Sequence, residues 1–491
     1  MNKRTISTII LLSVLASSVS CGGTSDVEKD ITDTSDIVTS DVDVTTEDPR
    51  YAIKEELPEK DYGGYDFRIY MRDQALCTDE MFAEELTGDI VNDAVYDRNL
   101  KVQDRFNVKF SLITASASDG LGNGAMSSIL AGDDEYDLIV PHAQASFSYG
   151  NRGLALDWNT ELPYVDLDKP WWDQNARDSF DINDKLYTMV GDISYLSLAF
   201  SDCMFFNKAL FDKYNEEYPY QKVLDGKWTF DEFTRIAKLC SEDLNGDGEL
   251  KPEDDLYGYA TYVWVGPIQV LYSGGGRVID KNKDGELELC YNTERNIQVY
   301  DWFFNLLKDD SCYIEPNRDD FQSLRRTIFD EGRAMMIDGS FNDVSYLRDM
   351  KDDFGIVPWP KYDESSDGYA ANVDAGTDLF VVPITTADAE RTSIILEALC
   401  AEGYRSVIPA YYEVALQKKY TRDDISVKMI DIIKDSRVFD IGYFFGDLGG
   451  WFSWAGRALY DYKDQNFSSF YAKYEAGVNA SIKKISEKYG K

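Results

Sequence analysis

The stretch DLNGDGELKPEDD, residues 243–255, crowds oxygen-bearing side chains into a short turn. Asp243, Asn245 and Asp247 alternate, Gly248 follows, and Asp254 stands twelfth. That is the 1-3-5-6-12 spacing of a calcium loop, with the backbone carbonyl of Glu249 at the seventh place. Alternation turns three side-chain oxygens toward one centre, and glycine permits the sharp turn. The expectation is a structural Ca2+ held by Asp243, Asn245, Asp247, Glu249 and Asp254, and no organic cofactor. Lys251 at the ninth place and the short side chain of Asp254 count against it. The competing reading is a polar turn whose Asp residues accept hydrogen bonds from their own backbone. A second Asp-rich turn, DKNKDGELEL from Asp280, places Tyr291 twelfth, which cannot close a cage. Its Asp-Gly between alternating residues predicts a hairpin.

The chain has one histidine, His142, which excludes zinc sites needing several His and the H-E-x-x-H pattern. Any Ser-His-Asp or Cys-His nucleophile would have to use it. No GxSxG elbow, Walker A loop or GxGxxG fingerprint is present. The formal charge of −39 repels phosphate backbones and argues against a nucleic-acid partner.

Aromatics make up 14% of the residues, enough to furnish sugar-stacking platforms as well as a core. Trp171 and Trp172 follow Pro170, Trp264 lies in TYVWVGP, and Trp451 and Trp454 lie in GDLGGWFSWAG, where Gly449 and Gly450 let backbone approach closely. These five are the candidate platforms, each with core packing as its competing reading. Trp158, Trp228, Trp302 and Trp359 read as structural. The polar candidates stand at strand ends, where ligands of open α/β sheets sit. His142 and Gln144 follow one predicted strand, Asp338 and Ser340 end another, and Asp374 and Thr377 precede the apolar run DLFVVP.

Elements must position these residues. YDFRIYM at 65–71 alternates as a strand, 89–106 has helical spacing, NVKFSLI is a strand, GAMSSILAGD a short helix and EYDLIVP a third strand. This alternation predicts an α/β lobe with a parallel sheet. KLYTMVGD reads as a strand, and 202–214 begins as a strand and turns helical. The helix after Trp228 has Thr229 and Glu232 spaced as a capping box. Helical periodicity dominates 293–350 around a strand at RAMMI. FGIVPWP reads as a strand near the surface and DLFVVP as a central strand. Helices follow at about 388–402, 421–435 and 466–487.

At 491 residues the chain is too long for one compact core. Residues 1–20 have a basic start, Lys3 and Arg4, and a short apolar run, Ile9 to Ala16, as in a signal peptide. Ser18-Val19-Ser20-Cys21 stands where a lipobox would be, making Cys21 the lipidation candidate. Residues 21–61 read as an acidic disordered tether to the membrane, and 62–491 as the folded body. The six other cysteines contain no CxxC and read as free thiols.

ELTGDIVNDAVYDRNLKVQDRFNV, ILAGDDEYDLIV, FFNKALFDKY and GKWTFDEFTRIAKL resemble the extracellular solute-binding proteins of bacterial ABC importers, family 1, which are mostly carbohydrate-binding lipoproteins. The resemblance runs from about Tyr65 to the C-terminus. It implies a two-lobed, type II periplasmic-binding-protein-like α/β clamshell with a helical C-terminal region. Lobe 1 is expected over about 62–200 plus part of 380–491. Lobe 2 covers about 205–378 plus part of the C-terminal helices. Hinge crossings fall near 201–207 and 378–383, and the ligand lies between the lobes. It further implies a monomer on the outer face of the cell membrane, or in the periplasm, that passes a sugar to ABC permease subunits without chemistry. The rivals are a secreted glycoside hydrolase, which needs only two carboxylates, and a surface glycan-binding lipoprotein.

Overall fold

A computed structural model describes residues 48–116, 119–317, 323–412, 424–448 and 455–490. The signal peptide, Cys21 and most of the tether lie outside the described residues, as do Trp451 and Trp454. The body from Asp48 to Lys491 is one compact unit by its internal contacts. It begins earlier than the expected boundary at 62. Glu55 pairs with Arg105 at 2.5 Å and with Arg405, and Ile53 and Leu57 pack against the core, so 48–61 is held by charge and apolar contact.

The first lobe is built on a parallel sheet of β1 (Tyr65–Met71), β2 (Val108–Thr114) and β3 (Leu138–Val140), ordered β2-β1-β3. The crossover helix Ile90–Phe106 starts where the Asp89 carboxylate accepts the amides of Val91 and Asn92, and ends at Asn107 in the left-handed region. Val95, Val102 and Phe106 line its buried face. The β-α-β-α-β reading of 65–140 is what the sequence periodicity predicts.

The second lobe carries β4 (Asp202–Asn207), β5 (Ser241–Glu242) and β6 (Leu256–Tyr262), then a hairpin of β7 (Ile279–Lys281) and β8 (Leu287–Leu289), the turn expected at Asp280. Next come β9 (Cys312–Glu315), β10 (Ala334–Ser340) and β11 (Phe354–Val357). Its large sheet runs β11-β4-β10-β6-β5, with β9 also on β6. β6, β9 and β10 are mutually parallel, whereas β4 runs antiparallel to β10. The carboxyl ends of three strands therefore meet the amino end of β4 at one edge.

Two of the segments that link the lobes run past one another. Residues 199–201 lead into β4, and 373–377 lead back to the first sheet, where Val381 pairs with Ile139 and Phe380 with Met189. DLFVVP and KLYTMVGD thus meet through isolated pairings rather than as full strands, because each makes only single ladder contacts. β11 is wholly buried, not superficial, since the helix Asp424–Asp435 covers it. The capping box at Thr229 is half formed: its hydroxyl accepts the Glu232 amide at 3.4 Å, but the Glu232 carboxylate goes to Lys222 and Arg235 instead. Among the described residues no helix is long and apolar enough to cross a membrane, and Cys77, Cys203, Cys240, Cys290, Cys312 and Cys400 are free thiols.

Candidate functional site: an aromatic cleft at the hinge

A cleft of about 380 Å³ opens where β6, β9 and β10 end and the two linking segments pass. Topology dictates this location: strand ends project loops into the gap between lobes. Tyr262 and Trp264 come from the end of β6, Asn317 from beyond β9, Ser340 and Asn342 from beyond β10, and Asp202 from the start of β4. Phe200 and Asp374 come from the links. Asn317 Oδ1 accepts from Tyr262 Oη at 3.2 Å and Trp264 Nε1 at 3.1 Å, which fixes both rings. The Arg457 guanidinium lies 5.2 Å from the Trp264 ring centre.

Polar groups under the cleft form a connected network. Asp338 accepts from Tyr259 Oη at 2.8 Å and Thr261 Oγ1 at 2.5 Å, with Arg325 at 3.5 Å. Burial pushes its carboxyl up to about 6, against the pull of Arg325. Arg325 and Arg326 both reach Asp343, at 3.0 and 3.2 Å. Glu315 caps the helix Leu324–Asp330 by accepting the Leu324 and Arg325 amides. Asp374 accepts from Tyr443 Oη at 3.0 Å and the Gly376 amide at 2.7 Å. Burial raises its pKa, and burial followed by the Asp374 charge raises that of Asp202 well above the carboxylate range.

The cleft gathers Trp264, Ser340 and Asp374 from among the sequence candidates. Asp338 lies beneath its floor. Trp171 and Trp172 do not reach it: both are buried in the first lobe's core, where their indole nitrogens donate to Glu397 Oε1 and Oε2 at 3.0 and 2.9 Å. The Pro170 turn that suggested an exposed loop instead tucks both rings inward. His142 caps the helix Ala143–Asn151, its Nδ1 accepting the Gln144 amide at 3.2 Å, and burial, then Arg72, pushes its pKa down to about 3. Gln144 donates to the Tyr443 carbonyl at 3.2 Å, and Thr377 offers its carbonyl to Ala143. These three hold the link rather than line the cleft. Trp158, Trp228 and Trp359 are core, and Trp302 stacks on Phe230 at 3.9 Å.

Sequence reasoning missed Phe200, Asp202, Tyr262, Asn317 and Asn342. The strand-end rule that chose Ser340 would have found Tyr262 and Asn317, had the end of β9 been recognised.

The Asp-rich loop closes on itself. Asp243 accepts the Gly246 and Gly248 amides at 2.7 Å each, both glycines having positive φ. Asp255, not Asp254, ties the loop shut by accepting the Leu244 and Lys251 amides at 2.9 and 2.7 Å. Asp254 is exposed, and the Lys251 ammonium sits on Asp247 and Glu249 at 2.9 and 2.8 Å. As folded, the five expected ligands do not form a cage, and among the described residues no group of three or more His, Cys, Asp or Glu is set to hold a metal.

No protein-family model and no curated protein sequence matches the chain. Solved structures do. UspC from M. tuberculosis superposes with a TM-score of 0.56 at 12% identity, over 85% of this chain and 100% of that one. A sugar transporter from Rhizobium etli in an open conformation gives 0.55 at 14% identity, over 87% and 99%. An ABC substrate-binding protein from Listeria monocytogenes in complex with cycloalternan gives 0.52 at 15% identity, over 87% and 99%. At such identities the likeness establishes the architecture, and the chain has the two-lobed, periplasmic-binding-protein-like α/β fold.

Proposed function

We propose that this chain is a solute-binding lipoprotein of an ABC importer, which captures a sugar or oligosaccharide between its lobes and delivers it to permease subunits unchanged. The observation that carries this reading is the cleft itself: Phe200, Tyr262 and Trp264 supply aromatic faces, and amide, hydroxyl and carboxyl groups stand between them at the hinge. Aromatic faces stack on the apolar faces of sugar rings, and a few placed polar groups fix orientation. The sugar transporter and the cycloalternan complex among the structural likenesses support the same ligand class. Cys21 would carry the lipid, with residues 22–47 as tether, on the outer face of the membrane, and the protein would act as a monomer.

The test is a thermal-shift screen of the purified chain against a glycan panel. A true ligand binds the folded, closed form and raises Tm by mass action. Shifts with a peptide panel and none with glycans would overturn the assignment. Asp202 and Asp374 are also the feature a glycoside hydrolase would need, so each glycan that shifts Tm is assayed for new reducing ends. Turnover would replace the binder with an enzyme.

We also propose, from spacing alone, that the 243–254 loop takes up Ca2+ by displacing the Lys251 ammonium. Calorimetric titration against Asp247→Ala tests it, and identical flat traces end it.

A further inference from the structure

The cleft floor holds two acids, the buried Asp202 and the half-buried Asp374, with no bonded cation among the described residues to stabilise their ionised forms, and neutral sugar supplies none. The links run side by side, with Ser201 paired antiparallel to Val373. Side chains alternate across such a pairing, so Phe200 and Asp202 share a face with Asn372 and Asp374, and it is this face that meets the cleft. Asp202 and Asp374 are diagonal neighbours there, close enough to repel. The remaining cleft charges are committed: Arg325 and Arg326 to Asp343, and Glu315 to its helix cap. Among the described residues no cation is bonded to Asp202 or Asp374; Arg72 acts on Asp374 only from a distance, being bonded to Asp378 and the Gly376 carbonyl.

Asp202 and the Asn372 carbonyl beside it are short of donors. Asp202 is only 3% exposed, yet a single carboxyl oxygen has a hydrogen-bond partner, Asn372 Nδ2 at 3.2 Å. Asn372 Oδ1 beside it is buried with no partner. A buried acceptor left unpaired is costly. The Phe200 ring lies next to Asp374: a side-chain carbon placed at Gly376 would be 2.8 Å from Asp374 Oδ1 and 3.6 Å from Phe200 Cζ. An aromatic face beside two acids suits a cation.

We propose that Asp202 and Asp374 receive a protonated amine of the ligand, making the captured solute an amino sugar or an oligosaccharide containing one. An ammonium brings up to three donors and a positive charge to a floor that needs both, whereas hydroxyl groups bring donors only. An N-acetylated or acidic sugar brings no cation, and an acidic one meets repulsion. The inference rests on the sugar-capture reading above.

Calorimetry on the full chain tests it with matched sugars differing at one carbon: glucosamine, galactosamine and mannosamine, and glucosamine oligomers, each against its N-acetyl and hydroxyl counterparts, at a pH where the amine is protonated. The amine form is expected to bind at least about tenfold more tightly than its counterparts. In Asp202→Asn and Asp374→Asn that preference, read as the ratio of amine to hydroxyl affinity within each variant, falls to within about threefold. The wild-type comparison needs no variant, so a misfolded variant does not shield the proposal. If a hydroxyl or N-acetyl sugar binds as tightly as its amine, the amine site is wrong and sugar capture stands. If no sugar of any kind binds, sugar capture falls and the amine site with it.

Discussion

Glu397 in the first lobe's core and Asp202 at the cleft floor are carboxyl groups almost equally withdrawn from water, 1% and 3% exposed. Burial raises the pKa of both. Their surroundings differ in one respect: supply of donors. Glu397 accepts from Trp171 Nε1, Trp172 Nε1 and the Asp166 amide, at 3.0, 2.9 and 3.2 Å. Asp202 has one donor, and each acid has a like charge nearby, Asp374 for Asp202 and Asp166 for Glu397. A buried acid with its acceptors filled is structural, because removing it strands the donors. A buried acid short of donors, facing a cavity, is kept for something that arrives from outside. The comparison separates core from site more sharply than burial does.

The largest effect expected from this contrast is on stability. Glu397→Ala strands two indole N–H groups and an amide and leaves a void, so it should cost roughly 3–5 kcal/mol in denaturant unfolding. Asp202→Asn, measured the same way, should change stability by less than about 1 kcal/mol, because an amide oxygen still accepts from Asn372 and the repulsion with Asp374 is gone. If the two variants cost the same, donor supply does not distinguish the sites.

Next in size is a pH effect. Burial pushes Glu397 up to about 7, the indole donors opposing it only in part. An acid with a raised folded pKa holds more protons in the folded than in the unfolded state between its two pKa values, so stability falls as pH rises through that window. From about pH 4.5 to 7, Glu397 should subtract on the order of 2–3 kcal/mol. Asp192, raised to about 8, and Asp440, raised to about 6, slope the same way, so the readout is the difference between wild type and Glu397→Gln. The variant's profile should be flatter across that window. Parallel profiles would mean that Glu397 titrates alike folded and unfolded.

What the sequence let one read follows from the range of each signal. Periodicity over seven to seventeen residues fixed β1, the helix Ile90–Phe106 and the parallel first sheet, since apolar spacing reports which face is buried. The Asp-Gly turn at 284–285 reported its hairpin for the same local reason. Site residues depend on which distant elements meet. Trp171 and Trp172 look as exposed in sequence as Trp264, and only the helix Ala389–Glu402, which brings Glu397, decides that they are core. Asp202 sits in the apolar strand DCMFFN, where nothing nearby in the chain shows that Val373 will lie beside Ser201. In the Asp243 loop the same oxygens admit both readings: their spacing suits an ion, and as folded the loop's own amides and Lys251 contact them.

The smallest effect concerns tryptophans rather than acids, and it carries the contrast between core and cleft into ligand binding. Trp264 is half-buried, its indole nitrogen on Asn317 and its ring beside Arg457, and it lines the cleft. Replacing it with alanine removes a stacking platform, which should weaken binding of the sugar found by screening by roughly 1–2 kcal/mol, about five- to thirtyfold. Stability should drop by no more than about 1 kcal/mol, since the ring is incompletely buried. Trp172→Phe should do the opposite. It leaves a Glu397 oxygen short of a donor and costs about 1–3 kcal/mol of stability, yet affinity should stay within about twofold because that ring is shut inside the core. Calorimetry and urea unfolding on both variants give the four numbers. A loss of affinity in Trp172→Phe equal to that in Trp264→Ala would mean that the core packing sets the cleft's shape, and the two regions could no longer be treated as separable.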